Sequence, residues 1–156
     1  MMDVSTDQVS SLPDMINIIQ SLFGVGTEND IFVFGIETFL HSPDRFSDEI
    51  YETASGIWLL LPSMIEERSR RAAVNIPGFG VLVIGGTGRN GLPLCYTELL
   101  TRLPNERGGG GGEKWQWRHF PPSNYDHRGF PLSVNFQGRV YIVGCGGYLN
   151  EIQQAV

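Results

Sequence analysis

Three short apolar runs that each stop at a glycine constrain this chain more than any other feature. They are Ile31-Phe32-Val33-Phe34-Gly35, Val81-Leu82-Val83-Ile84-Gly85 and Val140-Tyr141-Ile142-Val143-Gly144. Each is β-branched or aromatic, about one strand long, and continuous rather than alternating. That pattern predicts strands covered on both faces. A glycine after such a strand permits a close backbone approach that a β-carbon forbids. The three glycines stand 50 and 59 positions apart.

The flanks repeat in the same order. Leu12-Pro13-Asp14-Met15 precedes the first glycine run, Leu61-Pro62-Ser63-Met64 the second and Phe120-Pro121-Pro122-Ser123 the third. After the glycine runs come tyrosine segments, Glu49-Ile50-Tyr51 and Leu94-Cys95-Tyr96-Thr97-Glu98-Leu99, and then tryptophan segments, Ile57-Trp58-Leu59-Leu60 and Trp115-Gln116-Trp117-Arg118. A further segment leads through a small turn into the next glycine run: Ala72-Ala73-Val74 through Pro77-Gly78, and Leu132-Ser133-Val134 through Gln137-Gly138. The second interval is longer because Gly108 to Gly112 intervenes, and residues 105–113 read as a flexible loop extension.

Four short strands in a unit of about 50 residues is the period of a propeller repeat. The chain resembles the kelch repeat, in which an apolar run enters paired glycines, followed by a tyrosine, a tryptophan and an arginine. Gly85-Gly86 is the intact pair, with Tyr96 and Trp117 behind it; Tyr51 and Trp58 match in the preceding unit, and Arg68 and Arg128 stand 17 and 16 positions before Gly85 and Gly144. The second glycine is replaced by Ile36 in the first unit and by Cys145 in the third. The resemblance implies an all-β fold: a partial kelch-type β-propeller of about three four-stranded antiparallel blades. The units are expected at residues 9–56, 57–115 and 116–156, within one domain.

Composition narrows the function. The net charge of −6 disfavours nonspecific nucleic-acid or anionic-membrane binding, which needs a basic surface. Two cysteines, Cys95 and Cys145, are too few for a secreted disulfide framework and favour a reducing compartment. The opening MMDVSTDQVS lacks the form of a signal peptide, and no apolar run is long enough to span a bilayer, so a cytoplasmic location is expected.

A rival reading lies inside the second run. Gly86-x-Gly88-x-x-Gly91 directly after a strand is the dinucleotide-binding pattern, and LCYTELLTRL behind it could be an amphipathic helix. This alternative, an NAD(P)-binding domain of short-chain-dehydrogenase type, requires a second parallel strand where the chain instead runs into Pro104 and the glycine tract. There is no nucleophile elbow and no Walker lysine motif, and His41, His119 and His127 lack metal-ligand spacing. No cofactor, metal or catalytic residue is assigned, and the reading is a binding scaffold rather than an enzyme.

In a four-stranded antiparallel blade, alternate connections share one rim, and loops held by a rigid sheet carry recognition. The expected partner-contacting residues are Arg68, Arg70, Arg89, Asn90, Tyr125, His127 and Arg128. The resemblance implies a protein partner, through the substrate-recognition role of BTB-kelch adaptors of cullin-based ubiquitin ligases or through actin binding. About three units do not close a propeller, which takes four or more. An open apolar face of ~400 Å² forgoes roughly 10 kcal/mol of burial. The chain therefore reads as a fragment of a longer protein, with self-association as the other route to closure.

Overall fold

A computed structural model of the protein describes residues 2–3, 5–37, 45–103, 115–127, 129–144 and 153–155. Every regular element among them is a β-strand. A short hairpin pairs β1 (Met2–Asp3) with β2 (Gln8–Val9). The first large sheet is an antiparallel meander of β3 (Ile19–Gly26), β4 (Asp30–Glu37), β5 (Arg45–Glu52) and β6 (Ile57–Leu60). After β7 (Arg68–Ser69) a second meander follows: β8 (Ala72–Ile76), β9 (Gly80–Ile84), β11 (Thr97–Arg102) and β12 (Trp115–Phe120). Between β9 and β11 the chain inserts β10 (Thr87–Gly88), which turns back to pair with β7. The third sheet contains β13 (Leu132–Phe136), β14 (Arg139–Val143) and β15 (Gln153–Ala155). None of the sheets closes on itself.

The registers place the three glycine runs at equivalent positions. Phe34 faces Phe23, Ile84 faces Ala72 and Val143 faces Leu132, so Gly35, Gly85 and Gly144 each follow the same point of a β-meander. The tight turns expected at Pro77-Gly78 and Gln137-Gly138 join β8 to β9 and β13 to β14. Burial on both faces is complete for the middle run, where Val81, Leu82, Val83 and Ile84 are all inaccessible or nearly so. Strand alternation sends Val81 and Val83 toward Phe32, Phe34 and Ile50 of the first sheet, and Leu82 and Ile84 toward Val140 and Ile142 of the third. The second sheet is thus the filling of two cores.

Two sequence assignments shift. Tyr51 lies opposite Trp58, and Leu100 lies opposite Trp117, so Leu100 rather than Tyr96 is the counterpart of Tyr51. Tyr96 precedes β11 and is half exposed. Each tryptophan strand also completes the sheet before it, so the sheets span residues 19–60, 72–120 and 132–155 rather than units starting at 57 and 116. The stretch after Gly91 contains no helix: it passes through turns into β11, antiparallel to β9, so the glycine pattern has no helix N-terminus to offer a pyrophosphate. Residues 105–113, His41 and Cys145 lie outside the described residues. No helix among the described residues is long and apolar enough to cross a membrane.

Candidate functional site

Each of the first two sheets is tied to its own lead-in segment by a buried glutamate and a tryptophan. Glu49 on β5 accepts hydrogen bonds from the backbone N–H of Ile16 (3.0 Å) and Asn17 (2.9 Å), while Trp58 Nε1 donates to the Pro13 carbonyl (2.9 Å). Glu98 on β11 repeats this with the N–H of Ile65 (2.8 Å) and Glu66 (3.0 Å), and Trp117 Nε1 donates to the Pro62 carbonyl (2.8 Å). Both carboxylates are completely inaccessible. A buried carboxylate survives because backbone donors and a cation replace its water.

In the second sheet that cation is Arg68. Its Nη2 reaches Glu98 Oε1 at 2.5 Å, its Nη1 reaches the carbonyls of Tyr96 (2.5 Å) and Gly85 (3.2 Å), and its Nε reaches the Glu66 carbonyl (3.1 Å). Arg68 was expected at a rim and is instead fully buried, with its guanidinium committed inward. Arg71 is the second internal arginine. It pairs with Asp48 of the first sheet, and its guanidinium lies 5.6–5.7 Å from the ring centroids of Phe23, Phe34 and Phe46. Burial raises the Asp48 carboxyl to about 6, against the opposing pull of Arg71. Burial likewise lowers both guanidiniums from their ordinary value, with Glu98 and Asp48 acting in the other direction.

Arg70, between these two, points the other way. Its backbone takes φ +51°, in the left-handed region, and its exposed side chain lies 5.7 Å from the Phe130 centroid. The Gly85-Gly86 pair fixes this loop in place. A β-carbon on Gly86 would sit 2.5 Å from the Ser69 carbonyl, and one on Gly85 would sit 2.8 Å from His127 Cβ. Only glycine lets the two loops pinch the strand end this closely.

The result is a cavity of about 760 Å³ lined by the first sheet and by the segments leading to the second and third. Phe23, Gly35 and Phe46 come from the first sheet, residues 68–71 and 87–89 from the loops around the second, and Phe130 from the approach to the third. Arg68, Arg70, Arg71 and Arg89 all contribute to its wall, and among the described residues no aspartate or glutamate does. Arg89 is 78% exposed and its Nε meets Glu67 Oε2 at 2.5 Å, a surface contact that holds it only weakly.

Of the residues expected to contact a partner, Arg68, Arg70 and Arg89 are brought together here. Asn90 is exposed beyond Arg89, with its Oδ1 accepting the Leu92 N–H (2.9 Å), the usual work of a turn asparagine. Tyr125 is half exposed but is not part of the cavity wall, and His127 is buried, with its carbonyl accepting the Gly86 N–H (3.0 Å). Arg128 lies outside the described residues. Arg71, Phe46 and Phe130 were not singled out by sequence; Arg71 stands in the charged run Glu66-Glu67-Arg68-Ser69-Arg70-Arg71 beside two arginines that were. No protein-family model and no curated protein matches this chain.

Proposed function

We propose that the protein is a kelch-like, propeller-type interaction scaffold whose arginine-lined cavity holds an acidic segment of a partner protein. The observation that carries this reading is the wall itself: four arginines and, among the described residues, no carboxylate, in a chain whose net charge is −6. Arg68 and Arg71 are locked from behind by Glu98 and Asp48, leaving Arg70 and Arg89 as the side chains that can reach a ligand. Guanidinium groups suit carboxylates because they present paired donors in a fixed plane. Phe46 and Phe130 add apolar area beside the charges, and the volume falls in the ~300–1,000 Å³ range of ligand pockets. In a longer parent carrying a BTB domain, the same cavity would serve substrate recognition for a cullin-based ligase; an actin-binding role would use the same rim.

Selection from a displayed random-peptide library tests the reading. Peptides enriched on the wild-type chain are expected to carry clustered Asp or Glu, and to lose at least tenfold in affinity on the double variant Arg70→Glu/Arg89→Glu. Enrichment of uncharged peptides, or binding indifferent to the double variant, refutes it.

A further inference from the structure

The face of the third sheet turned away from the second is open. Leu132 (72% exposed), Val134 (53%), Phe136 (58%) and Val143 (52%) form an apolar stripe on it. Register places Val134 where the second sheet has Val74 and the first has Val25, and places Val143 where they have Ile84 and Phe34. Those four counterparts are all buried, each in a core shared with the following sheet. The same surface is therefore covered twice within the chain and bare once.

What covers it is also defined. The second sheet meets the first with Val81, Val83, Leu100 and Trp117, and the matching positions on the first sheet are Ile31, Val33, Tyr51 and Trp58. These face away from the second sheet, and no other sheet among the described residues lies against them. Leu60, on the same face of β6 as Trp58, is 59% exposed. One end of the array carries an uncovered socket, and the other carries the surface that fills such sockets inside the chain.

We infer that two copies of this chain associate head to tail, the third sheet of each packing against the first sheet of the other. The contact is heterologous, and closure after two copies leaves neither surface exposed. Each copy repeats in trans the sheet-on-sheet packing that its own sheets make in cis.

Light scattering coupled to size-exclusion chromatography on the wild-type chain is expected to give the mass of two chains; a monomer at every accessible concentration, or an open series of larger species, overturns the inference. Val134→Asp and Val33→Asp alter the two opposite surfaces at positions whose counterparts in the second sheet, Val74 and Val83, are buried in the shared cores. Each variant alone is expected to run as a monomer, and their equimolar mixture to recover dimer, because one intact pair of surfaces remains between unlike copies. If either variant alone stays dimeric, or if mixing restores nothing, head-to-tail packing is wrong.

Discussion

Arg70 holds a backbone conformation that costs a residue with a β-carbon on the order of 1–2 kcal/mol, at φ +51°. Its neighbours face inward with buried partners, so the twist at Arg70 is what turns one guanidinium of the run outward. Strain of this kind, kept at a site that faces a cavity, fits selection for ligand contact rather than for stability. Replacing Arg70 with glycine relieves the backbone and removes a cation–π contact worth ~0.5–1 kcal/mol at an exposed site. Arg70→Gly is therefore expected to leave the urea midpoint unchanged or slightly raised while weakening acidic-peptide binding about tenfold, a loss of ~1.4 kcal/mol. Equilibrium unfolding and titration with a selected peptide measure the two effects separately. The buried pair of Arg68 and Glu98 shows why local sequence misleads at this scale. Charged residues in a run are ordinarily solvated, and nothing in Glu66-Glu67-Arg68-Ser69-Arg70-Arg71 marks which guanidinium will be enclosed.

At the scale of elements, the strands were legible wherever the residues run continuous and apolar, although only Val81 to Ile84 is buried on both faces and the other two runs alternate. The runs ending at Gly35, Gly85 and Gly144 are strands in equivalent registers, and the tryptophan segments are the outer strands β6 and β12. Tyr96 was misassigned because a tyrosine was sought by type. What specifies this position in three dimensions is the glutamate two residues before it on the strand, Glu49 before Tyr51 and Glu98 before Leu100. A carboxylate that accepts two backbone N–H groups from a distant segment leaves no periodic trace. Strand β3 was likewise hard to read, since Ile19–Gly26 mixes polar residues and glycines and carries a register shift between Gln20 and Phe23. The two tryptophan ties should differ in weight. Trp117 is 5% exposed and Trp58 lies partly in solvent, so truncating the first removes more buried ring and leaves a cavity in the core. Trp117→Phe is expected to cost ~2–4 kcal/mol and Trp58→Phe less than about 1, read from denaturant unfolding of each variant.

Across the whole molecule, the ion pair of Asp48 and Arg71 bridges the first sheet to the start of the second and gives stability a pH dependence. The folded-state pKa of Asp48, about 6, lies above its ordinary 3.8. This group's stabilising contribution is complete below pH 3.8 and fades as the pH climbs through 6. Between pH 5 and 7.5 the wild type should lose on the order of 1 kcal/mol from this source, and Asp48→Asn should lack that component. Urea titrations of both proteins across that range provide the comparison.

The tie between Trp58 and Pro13, with the Glu49 clamp beside it, has a consequence for synthesis on the ribosome. Every donor and acceptor of that first loop has emerged once Leu60 leaves the exit tunnel, well before the partners of its core, Val81, Val83 and Leu100, are translated. In order of translation, the apolar cover of the first sheet comes from the second, and that of the second from the third.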